Sequence, residues 1–169
     1  MSALAIDSPR GQAHEIYNEI AWDVIMDHFF GATCQRTHKS HPADGVVHYP
    51  SGKPCLLVEI KSRREFKEGY PFAVREFFEN PRFGGKWLVT HEKLRNCAAI
   101  ADQLRIPFIG ALHSPNDKVV LLKALYRAGK WLVDVERRRS TTRETINGGS
   151  AERWNGYVPM QGATVLRYT

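Results

Sequence analysis

The sequence predicts an α/β sandwich in which a mixed sheet lies between helices. Three features lead there: an opening stretch with helical periodicity, two extended runs joined by a short Pro/Gly loop, and a later alternation of strand-like and amphipathic helical segments. The 169 residues suit one domain with a real core. With 43% apolar and 25% charged residues, the composition is that of an ordinary globular protein. No apolar run is long enough to span a bilayer, and MSALAIDSPRG lacks a basic region followed by an apolar one, so a cytoplasmic protein is expected. Cys34, Cys55 and Cys97 are odd in number and widely spaced, which points to reduced thiols rather than a disulfide frame or a zinc knuckle.

Over residues 13–30, Ile16, Ile20 and Val24 recur at helical spacing beside Tyr17, Ala21, Ile25 and Phe29, and Gly31 supplies a stop. Residues 33–37 read as a strand. Residues 41–49 (HPADGVVHY) and 55–63 (CLLVEIKSR), joined by PSGKP, read as a β-hairpin. Residues 70–80 suggest a short helix ending before Pro81, and KWLVT (86–90) another strand. Residues 92–105 place Leu94, Cys97, Ala98, Ala101 and Leu104 on one face of a helix, and IPFIGAL (106–112) reads as a strand with Pro107 at its start. Residues 118–126 and 130–136, joined by Arg-Ala-Gly, look like a hairpin; a helix over 118–128 capped by Gly129 is the alternative. The tail has a turn at NGG (147–149) and a last strand in WNGYVP (154–159). The whole reads as one domain, residues 1–169, with a core over about 13–112 and a C-terminal extension over about 116–169.

The chemistry concentrates in CLLVEIKSR. Side chains alternate along a strand, so Leu56, Val58 and Ile60 point one way and Leu57, Glu59 and Lys61 the other. Charges on an apolar strand are costly unless they are partnered or open onto a cleft. Asp44 begins the preceding strand, and hairpin pairing can bring it beside Glu59. Two adjacent carboxylates resist joint ionisation unless a cation lies between them. Mg2+ typically uses one or two carboxylates plus phosphate oxygens, and Lys61 could then hold a water and offset charge growing on a phosphate. Glu15, Glu19, Asp23 and Asp27 form an acidic stripe on the first helix whose default reading is a solvated face. A second Glu-x-Lys triplet, Glu65-Phe66-Lys67, has no apolar strand around it and reads as surface.

The formal charge of +6 favours a polyanionic partner. Lys61, Arg63, Arg64 and Lys67 form one basic cluster; Arg137, Arg138, Arg139 and Arg143 form another, which could sit on an extended arm over a groove. Both suit a phosphate backbone.

This combination of motif and element order over about residues 13–112 resembles the PD-(D/E)xK nuclease superfamily, and within it the branch of Holliday-junction resolvases. The resemblance implies a restriction-endonuclease-like, three-layer α/β core with a mixed sheet flanked by helices in αβββαβ order, here with extra C-terminal β elements. It implies a Mg2+-dependent deoxyribonuclease, with Mn2+ as a substitute, in which Asp44, Glu59 and the Ile60 carbonyl bind the metal and Lys61 orients the water. It also implies a carboxylate from the first helix, assigned to Glu19 with Glu15 in reserve. Arg63, Arg64, Lys67, Arg137, Arg138, Arg139 and Arg143 would then contact nucleic acid, most simply DNA, and a homodimer would be in keeping. The family's Pro-Asp is here Pro42-Ala43-Asp44, with one residue inserted. The alternative function is a catalytically silent nucleic-acid-binding or assembly module on the same fold; a further one is a structural ion pair in an unrelated α/β domain.

Other residues invite chemistry. His38, His41 and His48 flank Asp44, but their loop has no second pair at ligand spacing, so a solvent-facing or phosphate-contacting role is expected over zinc. Trp87, Trp131 and Trp154 are read as core before base-stacking.

Overall fold

The computed structural model describes residues 9–38, 41–67, 69–142 and 151–169. In chain order the elements are α1 (Pro9–His28), β1 (Thr33–Arg36), β2 (Gly45–His48), β3 (Pro54–Ser62), β4 (Glu65–Lys67), β5 (Tyr70–Pro71) and α2 (Val74–Glu79). They continue with β6 (Lys86–Thr90), α3 (His91–Leu104), β7 (Phe108–Ser114), β8 (Val119–Arg127), β9 (Lys130–Trp131), β10 (Glu136–Thr142), β11 (Ala151–Pro159) and β12 (Thr164–Arg167).

A central mixed sheet in the order β1-β2-β3-β7-β8-β12, with β9 on β8, lies between helices. Its pairs are antiparallel except β3 with β7, which the α3 crossover makes parallel. On one face α1 buries Ala21, Trp22 and Ile25 against Val47, Val58, Ile60, Ala111 and Val120. The opposite face packs Leu57, Phe108, Leu112 and Leu121 against Leu94, Cys97 and Ala101 of α3 and against Trp87 and Val158. Alternation along β3 therefore sends its residues into two different cores, as its sequence predicts.

Trp22, absent from the predicted apolar face, anchors α1, while Ile16 stays exposed. The indole lies so close to Gly45 that a Cβ there would come within 2.7 Å of the ring. A bare backbone at the start of β2 lets α1 settle onto the sheet.

The strand KWLVT forms as expected but leaves the central sheet. As β6 it pairs with β11, which pairs with β10, in a separate antiparallel sheet of three strands. The burial patterns give the reason. In β6 only Trp87 and Val89 are buried and their neighbours are not, which suits a sheet with one face on the core. β7 is buried at nearly every position, as a strand covered on both faces must be. The 118–136 segment takes the hairpin rather than the helix, with β8 and β9 paired through Tyr126↔Trp131. Residues 136–142 form a full strand on β11 rather than a free arm. The NGG turn lies outside the described residues.

The C-terminal segment is tied down by a buried relay. Ser62 Oγ lies 2.9 Å from His113 Nδ1, and His113 Nε2 lies 2.7 Å from the Tyr168 hydroxyl. Among the described residues, no helix is long and apolar enough to cross a membrane.

Candidate active site

Asp44 stands one residue before β2, where the ladder with β3 ends. Its N–H donates to the Val58 carbonyl at 3.0 Å, and its Oδ2 accepts the Ile60 N–H at 2.6 Å. The side chain thus replaces the next β2 residue as partner for the backbone of β3. The N–H and C=O of a strand residue point to the same edge, so the Ile60 carbonyl opens on the side where Asp44 sits.

Glu59 lies on the other face of β3 from Val58 and Ile60 and is 4% exposed. Burial pushes its carboxyl well above the ordinary range, and the nearby Asp44 charge pushes it further; Lys93 opposes both. Lys93, in the first turn of α3, ion-pairs with Glu59 Oε1. Burial draws the Lys93 ammonium down, but the Glu59 carboxylate, with Asp44 and Cys97 adding to it, outweighs this and leaves it raised. Glu59 Oε2 is buried without a hydrogen-bond partner among the described residues.

Lys61, two residues on, donates from Nζ to the Leu88 carbonyl of β6 at 3.0 Å. Burial, with help from the Arg63 charge, lowers its ammonium to about 8. Two carboxylates and two lysines thus share one partly enclosed corner between β3, β6 and α3. Lys93 escaped the sequence reading because it falls on the polar side of a helix defined by its apolar residues. The signal for it was the buried Glu itself, which demands a cation from some packed element.

The donor set can be tested against a metal. Among the described residues no group of three or more His, Cys, Asp or Glu could hold one. Two carboxylates, one with a partnerless buried oxygen, and a backbone carbonyl at the same edge fit a hard cation that keeps several waters, as Mg2+ does. They do not make a zinc centre. His41 shapes the loop before Asp44 instead, its Nδ1 accepting the Ala43 N–H at 3.1 Å.

Glu19 is not brought to this corner. Its carboxylate pairs with Arg36 of β1, the Arg36 Nη2 lying 2.6 Å from Oε2, and Glu15 is exposed. The reason is layer geometry: α1 covers the Val58/Ile60 face, opposite the one that carries Glu59 and Lys61.

The basic residues also separate. Arg63 follows the last residue of β3 and is half-buried, and burial lowers its guanidinium. The exposed Arg64 stacks on Tyr17 of α1, 5.2 Å from the ring centroid. Both line a cleft with His14 and Tyr17. Lys67 lies in β4, and Arg143 lies outside the described residues. Alternation along β10 splits the other cluster. Arg138 sits over Tyr157 at 4.8 Å, whereas Arg137 sits over Trp154 at 4.1 Å. Of the three tryptophans read as core, only Trp87 is buried; Trp131 and Trp154 are 40% and 44% exposed.

Neither a family model nor a curated protein matches the chain. Among solved structures it is similar to a Holliday junction resolvase of the archaeal hyperthermophile Archaeoglobus fulgidus. The two share 17% identity over 69% of this chain and 80% of that one, with a TM-score of 0.39. At that TM-score the likeness carries no argument about chemistry, which stands on the residues of this chain.

Proposed function

We propose that this chain is a metal-dependent nuclease that hydrolyses phosphodiester bonds of DNA. Asp44, Glu59 and the Ile60 carbonyl would hold Mg2+, and Lys61 would place the attacking water. The observation that carries the reading is Glu59: a buried carboxylate with one partnerless oxygen, within electrostatic reach of Asp44 and on the same strand face as Lys61.

When bound, Mg2+ polarises the phosphoryl oxygen and makes its water more acidic. The residues of the chain supply the rest. Asp44 is fixed by the Ile60 N–H, and Glu59, fixed by burial, presents the Oε2 oxygen that its ion pair with Lys93 leaves without a partner. Lys61 is anchored at Leu88 and carries donors that orient the water and balance charge developing on the phosphate. The water oxygen joins phosphorus, the bond to the 3′ oxygen breaks, and the departing oxygen takes a proton, leaving a 5′-phosphate and a 3′-hydroxyl. A cytoplasmic setting belongs to the same reading.

The Lys93–Glu59 ion pair favours the second reading, a silent binding module, because it already satisfies one Glu59 oxygen. Cleavage assays on single-stranded, duplex, flapped and four-way DNA with Mg2+ or Mn2+, beside Lys61→Ala, separate the two. Cutting by the native chain that disappears in the variant supports the nuclease. No cutting on any substrate, together with no heat on titrating Mn2+ into the protein, leaves the silent module.

A further inference from the structure

Beside the corner of Glu59 and Lys61 lies an open groove of about 720 Å3, walled by Lys93, Arg95, Arg137, Arg153 and Trp154 among others. Lys93 is at once part of this wall and the partner of Glu59, so groove and candidate site are contiguous.

The ladder of β10 and β11 explains what the groove presents. Arg139 lies opposite Trp154 and Arg137 opposite Gly156, so the two arginines share the face of Trp154. That face looks toward α3: a Cβ on Gly156 would come within 2.5 Å of Leu94 Cδ1. Beyond the end of this packing Trp154 remains 44% exposed. The Arg137 guanidinium covers its ring at 4.1 Å. Arg139 is held by Glu152 at 2.5 Å. Arg95, Arg137 and Arg153 have no carboxylate ion pair among the described residues. Arg137 and Arg95 also depress the pKa of His91 in the same wall, after burial, so their positive fields converge there.

An indole backed by a guanidinium, open on a groove with uncommitted arginines, suits a flat aromatic ring flanked by anions. Within a duplex both faces of a base are already covered by its neighbours, whereas an unpaired nucleotide has a face to offer. We propose that this groove binds an unpaired stretch of nucleic acid, one base stacking on Trp154 and the flanking phosphates contacting Arg95, Arg137 and Arg153. The inference rests on the nuclease reading in one respect, that the strand continues to Glu59 and Lys61. It narrows the substrate to single strands, flaps or frayed ends.

The test is binding in EDTA, where no cleavage occurs. Fluorescence anisotropy is read on a short labelled DNA single strand, the same RNA sequence and a blunt DNA duplex. Trp154→Ala should weaken binding to single strands by about tenfold or more, Trp154→Phe should retain most of the affinity, and duplex affinity should hold. Arg153→Ala should instead lower the salt slope on single strands by about 0.7. Trp154 dependence on either the DNA or the RNA strand sustains the proposal, and the stronger of the two names the polymer. Unchanged single-strand binding in Trp154→Ala, or an equal loss on strand and duplex, overturns it. Because these measurements need no metal, failure of the Lys61→Ala cleavage test leaves their outcome standing, and the reverse holds too.

Discussion

The Lys93 ammonium of α3 is paired with the Glu59 carboxylate of β3, with side-chain exposures of only 18% and 6%. The pair opposes the upward push that burial and Asp44 exert on the Glu59 carboxyl, and it occupies one oxygen that a divalent cation would need. Lys93→Met should therefore destabilise the metal-free protein by about 3 kcal/mol near neutral pH, the scale of leaving one partner of a buried pair alone. Mn2+ should restore more stability to the variant than it adds to the native chain. Thermal melts with EDTA and with Mn2+ check both points; a variant that melts like the native protein and gains nothing extra from Mn2+ would refute the assignment.

Asp44 combines a structural and a chemical task, and these can be separated. Asp44→Asn keeps an oxygen to accept the Ile60 N–H but loses the charge beside Glu59. Stability should hold or rise by roughly 1 kcal/mol as the like-charge repulsion goes. Cleavage should fall about a hundredfold or more, as expected when several kcal/mol of charge stabilisation are removed. A variant that cuts as fast as the native chain removes Asp44 from the site.

His113 is fully buried between Ser62 and Tyr168, and burial lowers its pKa from 6.5 to about 4. The folded state then binds fewer protons than the unfolded state between those values. The contribution is complete above the unfolded pKa and is lost as pH falls toward the folded one, amounting to roughly 2 kcal/mol by about pH 5. Melting temperature should drop over this window, and His113→Gln should flatten that part of the profile. Equal pH slopes in the two proteins would show that His113 is not the group responsible.

Gly156 lets β11 approach α3 so closely that an added methyl meets Leu94 at 2.5 Å and Val135 at 3.1 Å. Gly156→Ala should cost about 1–3 kcal/mol by overpacking and shift the helix turn that carries Lys93. Urea unfolding gives the first quantity. A midpoint unchanged from the native chain would mean the contact relaxes freely.

Local pattern was enough for the elements near the site. The alternation of CLLVEIKSR places Glu59 and Lys61 opposite Val58 and Ile60 because strand geometry leaves no other choice, and the Pro-Ser-Gly loop between short strands leads to the hairpin. The same period of two splits Arg137 from Arg138, although these two, with Arg139 and Arg143, read at first as one patch.

What only the tertiary structure decided is which layer each element joins. The carboxylates of α1 have the spacing to reach a sheet, yet Ala21, Trp22 and Ile25 put that helix on the far face and leave Glu19 to Arg36. KWLVT is a strand by its residues, but its place in a second sheet depends on β7 filling the slot beside β3. Lys93 and Trp154 enter the groove only because α3 packs on a β11 strand some sixty residues further along the chain. Propensity and period act over a few neighbouring residues, whereas burial selects among packings that bring distant segments together.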